Sequence, residues 1–244
     1  FAGNFDTSET TTMDALFYGC TGLTTVLGME QFNTQNVTNI SRLFTNCSAI
    51  DNIDLSAWDT FNVTNISRLF QGCTSLNNVR LNWSETNTKN FADISYAFYN
   101  CELLNNIHLD KIYTIGENAF ENCTTLDKVD ISTLRNSGKE IFKGCKALKE
   151  VIFATNTKLS YAMFVSCGIE QVTLYETVEI PEFCFAKCEN LTDVFIASSL
   201  VKISKGAFSE CTKLVNIKFS GSVDKIDEQV FYKCTSLRTI MLPN

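Results

Sequence analysis

With 45% hydrophobic and 19% charged residues among 244, the chain has ample material for a buried core, and a disordered polymer is excluded. It contains no run of about 18 apolar residues, so nothing in this segment is expected to span a membrane. The net charge of −7 is uneven: residues 1–110 hold 4 Lys/Arg against 11 Asp/Glu and residues 111–244 hold 16 of each, a balance that argues against a nucleic-acid partner. The plain reading of these charges is that they solvate exposed loops.

Along the chain a phenylalanine is followed three residues later by a cysteine ten times: Phe17/Cys20, Phe44/Cys47, Phe70/Cys73, Phe98/Cys101, Phe120/Cys123, Phe142/Cys145, Phe164/Cys167, Phe185/Cys188, Phe208/Cys211 and Phe231/Cys234. Successive cysteines are 27, 26, 28, 22, 22, 22, 21, 23 and 23 residues apart. A period of this size marks a solenoid whose units bury their apolar faces only against their neighbours. An α/β solenoid of about ten units is therefore expected, forming one domain over residues 1–244. Longer repeats fill 1–110 and shorter ones 111–244.

Two of the long units share an identical stretch, Asn36 to Phe44 and Asn62 to Phe70, and the second copy is preceded by Trp58-Asp59-Thr60. After each cysteine the pattern C-x-x-L-x-x-[IV]-x-[LIF] ends in a short alternating segment, as in Cys123-Leu126-Val129-Ile131. Period 2 predicts a half-buried strand there, and stacking predicts one long parallel sheet on that face. Before the cysteine the shorter units read I-x-x-x-A-F-x-x-C, as in Ile115 to Cys123. This spacing predicts a short helical or 3₁₀ turn on the opposite face. Unit seven is one residue short, reading Cys167-Gly168-Ile169, and a local bend is expected there. The chain opens at Phe1 with no initiating Met and neither end carries a polar capping unit, so flanking regions are expected beyond both ends.

Eleven cysteines could signal disulfides or a metal. Ten, however, share one column, and Cys184 stands where other units have Leu16, Leu43 or Val230, an apolar slot. All eleven are expected to be reduced core thiols, because side chains in file neither converge on a metal nor present good disulfide geometry. The single histidine, His108, falls on an outward strand position while the cysteines point inward, so no nucleophilic pair is expected. With no third orienting group and no phosphate loop, neither an enzymatic activity nor a cofactor is expected.

The outward column between the two buried strand positions reads Leu27, Asp54, Arg80, His108, Asp130, Ile152, Thr173, Phe195, Lys218 and Met241. A column open to water should be polar, and Ile152, Phe195 and Met241 are not. A ligand surface is therefore expected around Ile152, Thr173, Tyr175 and Phe195, with an acidic alternative near Asp54, His108, Asp110 and Asp130. A loop or neighbouring molecule covering these side chains is the plainer explanation. Eight N-x-[ST] sequons, at Asn36, Asn39, Asn46, Asn62, Asn65, Asn82, Asn122 and Asn190, are inflated by the duplication; in a glycosylating host they would sugar one flank.

The last six units resemble the BspA-type leucine-rich repeats, A-F-x-x-C-x-x-L-x-x-[IV]-x-L, at Ala119–Ile131 and Ala207–Phe219. The first four are similar to the related 26-residue surface-protein repeat, W-D-T-x-x-V-T-x-[IM]-x-x-[LM]-F-x-x-C, seen at Trp58–Cys73. The asparagine ladder of commoner leucine-rich repeats is missing: eleven residues after the cysteines stand Gln31, Trp58, Ser84, Ile112, Leu134 and Asn156. The resemblance implies a secreted or surface-displayed protein without catalytic residues, found in gut or oral bacteria or mucosal protozoa. It further implies adhesion to a host extracellular-matrix or cell-surface protein, and the chain is expected to act as a monomer. Two other roles compete: a structural stalk presenting another domain, and a glycan surface around Tyr175, Glu176 and Glu179.

Overall fold

A computed structural model describes residues 6–81, 93–109, 112–155, 157–197 and 199–241. Thirteen strands follow one another among these residues: β1 (Asn52–Leu55), β2 (Asn78–Leu81), β3 (Thr114–Ile115), β4 (Lys128–Ile131), β5 (Asn136–Ser137), β6 (Glu150–Phe153), β7 (Gln171–Leu174), β8 (Glu179–Ile180), β9 (Asp193–Ile196), β10 (Leu200–Ile203), β11 (Asn216–Phe219), β12 (Val223–Ile226) and β13 (Thr239–Met241). Every pairing between them is parallel. The chain is a parallel solenoid of leucine-rich-repeat type.

The alternating segments after the cysteines form the first row of strands: β1 and β2, β4 and β6, then β7, β9, β11 and β13. Their apolar residues face the core, giving an alternating exposed and buried pattern in β1, β7 and β11. Eight of the ten units carry a strand here; the first and fourth, around Leu27 and His108, do not. The expected single sheet is thus three shorter ones. A second row, β3 with β5 and β8 with β10 and β12, lies just before the Phe/Cys turns. In the longer units it continues as single bridges, Thr12 to Asn39, Asn39 to Asn65 and Asn65 to Asp93. There the Asn or Asp side chain accepts the amide two residues on, as Asn39 does from Ser41 at 2.9 Å, making a turn where a strand would otherwise extend.

The expected helical turn is not a helix. The only helix among the described residues is a 3₁₀ turn at Met29–Gln31, and none is long and apolar enough to cross a membrane. Two backbone positions explain this. The residue two before each repeat phenylalanine and the residue just before each cysteine have φ between 52° and 77° in all ten units. The second set is Gly19, Asn46, Gly72, Asn100, Asn122, Gly144, Ser166, Lys187, Glu210 and Lys233. A left-handed residue every fourth position turns alternate amides out of the helical path. They donate to the next unit instead: Asn118, Phe120 and Asn122 to the carbonyls of Lys139, Ile141 and Lys143 at 3.0, 2.9 and 2.8 Å. The same three-rung ladder recurs from unit to unit.

Inside the turn the phenylalanine rings form one continuous stack from Phe17 to Phe231, with centroids 5.1–6.0 Å apart and planes within 29°. Beside it runs the cysteine column. From Cys47 onward each column thiol donates to the carbonyl of the preceding unit's phenylalanine at 3.0–3.3 Å. All eleven cysteines are free thiols and nine are buried; Cys234 is half-buried and Cys20 exposed. Cys20 corrects the expectation of eleven core thiols, because among the described residues no turn stacks on its outer side. In the longer units Trp58 adds a further anchor, buried, donating its indole N–H to the Met29 carbonyl at 3.0 Å and stacking on Phe32.

Both rows of strands are interrupted at unit seven, the second carrying no strand between β5 and β8, while the phenylalanine stack runs on. Between units six and seven the phenylalanines keep contact, Phe142 to Phe164 at 5.6 Å, but β6 and β7 do not pair. The shortened Cys167-Gly168-Ile169 loop draws the backbone so close that a Cβ on Gly168 would stand 2.2 Å from the Lys146 carbonyl oxygen. Strand β7 then begins four residues after its cysteine, whereas β6 and β9 begin five after theirs.

Two outcomes follow from this core. Phe142→Ala, in a fully buried middle rung, is expected to lower unfolding stability by about 3–5 kcal/mol in a urea titration. The thiols also make stability pH-dependent. Burial pushes Cys47 up to about 11 and Cys73 and Cys188 up to about 12, from an ordinary 9.0. A folded value above the unfolded one means that this stabilisation is complete below pH 9 and is lost as pH climbs toward 11–12. Urea titrations under reducing conditions should show a steep decline above pH 9. Cys73→Ala should flatten that decline by about 1.4 kcal/mol per pH unit.

Candidate functional site

The outward column of the first row is in register across four strands. Thr173 pairs with Phe195, Phe195 with Lys218 and Lys218 with Met241. Lys218 lies over the Phe195 ring, its Nζ 5.6 Å from the centroid, so Phe195 is half-buried while Met241 is 51% exposed. Beside this column Gln171, Asp193 and Asn216 form a polar one. Asn216 donates its side-chain amide to Asp193 at 2.9 Å, which holds that carboxyl below the usual range. The two columns border a shallow groove floored by Val172, Val194 and Ile217.

Of the four residues singled out in the sequence, Thr173 and Phe195 are direct neighbours. Ile152, on β6, pairs with Asp130 on β4 and is separated from Thr173 by the break. Tyr175 is exposed at the end of β7 and, with Thr173, lines a cleft of about 480 Å³ opened by that break. Its other walls are Lys149, Glu150, Val151, Phe153, Glu170 and Gln171. Lys149 reaches across to Glu170 at 3.1 Å, an exposed ion pair of little energetic weight. The sequence signal for this cleft was the missing residue in unit seven.

The acidic alternative does not converge. Asp54 accepts both the hydroxyl and the amide of Ser56, at 2.5 and 2.9 Å, which together with Arg80 keeps its carboxyl below the usual range. Asp130 accepts the Ser132 amide at 2.9 Å. His108 is exposed, and Cys101 and Cys123 on the adjacent rungs are buried, so imidazole and thiol do not meet. Asp110, Ser84, Asn82 and Asn156 lie outside the described residues. Among the described residues no three His, Cys, Asp or Glu side chains are placed to hold a metal ion.

The glycan alternative is thin for a geometric reason. Glu179 belongs to the second row, where it accepts the Ser204 hydroxyl at 2.8 Å, and it does not lie on the strand face with Thr173. Several sequon asparagines are structural: Asn36 and Asn62 donate their side-chain amides to the carbonyls of Ser8 and Gln35 at 2.8 and 2.7 Å, Asn39 and Asn65 accept the amides of Ser41 and Ser67 at 2.9 Å, and Asn122 donates to the Asn100 side chain at 2.9 Å.

No curated protein matches the chain. Among solved structures it is similar to a leucine-rich cell surface protein from Faecalibacterium prausnitzii A2-165, at 20% identity and a TM-score of 0.47, over 95% of this chain and 69% of that one. It is also similar to a leucine-rich repeat protein from Bacteroides ovatus, at 22% identity and 0.48, over 93% and 74%. A third is the leucine-rich repeat protein of T. pallidum, at 18% identity and 0.40, over 83% and 72%. Residues 2–112 match the family described as Mycoplasma protein of unknown function, DUF285. Residues 89–179 and 157–244, more than half of the chain, match the BspA-type leucine rich repeat region, and the chain belongs to that family.

Proposed function

We propose that the whole chain, residues 1–244, works as one non-enzymatic recognition module of a secreted or cell-surface protein. It adheres to a protein ligand, of the class of host extracellular-matrix or cell-surface proteins, through the strand face. The observation that carries this reading is the register of Thr173, Phe195, Lys218 and Met241. An aromatic ring, a thioether and an ammonium sit side by side on a rigid sheet, and Ile152 adds 36% of its surface across the break. Rigid aromatic anchors bordered by polar groups are what protein interfaces favour, and their ordering cost on binding is small. A structural stalk is the second reading. It is favoured by the unbroken phenylalanine stack, which makes a stiff rod whatever its faces carry.

A screen of the chain against immobilised matrix proteins, serum proteins and glycans separates these readings. It runs beside the double variant Ile152→Asp/Phe195→Asp, whose unchanged melting curve certifies its fold. Strand-face adhesion predicts that the parent binds a protein ligand and the variant loses about tenfold or more, the scale of a central interface residue. Equal binding by both proteins, or binding by neither, moves the stalk ahead.

A further inference from the structure

Resting on the strand-face reading, we propose that the cleft between β6 and β7 is the point of ligand entry. The ligand portion it takes is an extended peptide segment, held through its main chain. In every other contact between neighbouring first-row strands from β4 onward the backbone groups are used: Asp127 O accepts the amides of Lys149 and Glu150, and Glu170 O accepts that of Thr192. Between residues 149–154 and 170–175, all of them described, no backbone hydrogen bond forms, although the phenylalanine rungs beneath stay in contact at 5.6 Å. The molecule therefore contains two strand edges facing each other in its middle, each paired only on its far side.

An unpaired edge is a template for another main chain, which offers amides and carbonyls at matching spacing; a flat sugar or a helix does not. The cleft is about 480 Å³, within the range of sites that hold a ligand, and its floor and walls combine Val151 and Phe153 with Gln171, Thr173 and the exposed Tyr175. The Lys149–Glu170 pair spans one lip and, being exposed, costs little to open. Strand edges are normally hazards that proteins blunt, and here the opening is held by a covalent feature, the residue absent between Cys167 and Ile169. Its only side chain at that point is the hydrogen of Gly168, packed against Lys146 O.

The test restores the missing residue. A random peptide library is panned against the intact chain, and a selected peptide is titrated against three proteins: the parent, a variant with one Lys inserted between Gly168 and Ile169, and Phe195→Asp. The inserted residue gives unit seven the C-x-x-L spacing of its neighbours and should let β6 pair with β7. The proposal expects tight binding by the parent, at least about tenfold weaker binding by the insertion variant, and little change in Phe195→Asp. Amide exchange read on the parent alone should slow at residues 150–154 and 171–175 when the peptide is added, which keeps the test valid if the insertion variant misfolds. The cleft proposal is overturned if no peptide is selected, if exchange slows elsewhere, or if the folded insertion variant binds like the parent. It is overturned too if a glycan array rather than the peptides is what the insertion abolishes. Loss only in Phe195→Asp would leave strand-face recognition standing without the cleft, and indifference to both changes would remove that reading as well.

Discussion

Everything else in this molecule depends on the carbonyl group of the repeat phenylalanine. Each such carbonyl accepts the amide of the cysteine three residues later in its own unit, at 3.0–3.3 Å. From Phe17 to Phe208 it also accepts the thiol of the next unit's cysteine. Both lone pairs are used, one within the turn and one between turns, so the same oxygen closes the unit and fixes the register of the stack. The buried side chain that does this must be small, apolar and able to donate once. Serine would put a more polar hydroxyl into an apolar column, and alanine or valine would leave the carbonyl with one bond fewer. Cysteine is a small hydrophobe with a weak donor, which fits. A thiol bond is individually weak, but it is repeated nine times beside nine stacked aromatic contacts, and stability in a solenoid is a sum over such interfaces.

That spine separates stability from display. The rings, thiols and left-handed turn residues are committed to stacking, whereas the outward residues of the first row contribute little to it and can be of any kind: Asp54, Arg80, Thr173, Phe195, Lys218. Because rungs hold together through the turn side, the strand side tolerates a gap. Losing one residue after Cys167 breaks the ladder between β6 and β7 while Phe142 and Phe164 stay in contact. A fold whose neighbouring units shared only a sheet would have been cut in two by the same deletion.

The solenoid, its period and the inward and outward faces of the first row were legible in the sequence, because the Phe-x-x-Cys pair and the following [IV]-x-[LIF] recur in a fixed order. The turn was not. Spacings of three and four between apolar residues fit a helix equally well, and only backbone conformation distinguishes them. A signal was present in the residue before the cysteine, which is Gly or Asn in the first six units, the side chains most at ease at φ > 0. The later units hold Ser166, Lys187, Glu210 and Lys233 in the same conformation, so there tertiary stacking overrides residue preference.

The second row was hidden for another reason. Its buried residue lies four positions before the phenylalanine in the long units, at Met13, Ile40, Ile66 and Ile94, and five before it in most short ones, at Ile115, Leu159, Ile180 and Ile203. A one-residue shift flips a strand's faces, and it blurs any common pattern across the two halves. For the candidate site, the apolar outliers Ile152 and Phe195 could be read from the column. That a break separates them could not, since spacing reports which units are short and not which strands remain paired.

The S–H stretching band in the infrared spectrum of the native, reduced protein tests the thiol–carbonyl ladder most directly. The ladder predicts a band dominated by hydrogen-bonded thiols, displaced to lower frequency than a free thiol in an apolar solvent, with only a minor component from Cys20 and Cys184. On unfolding the displaced band should give way to the solvated one. A native band at the free-thiol position would contradict the account, leaving the cysteines as space-fillers and the register to the phenylalanine stack and the backbone ladder of the turns.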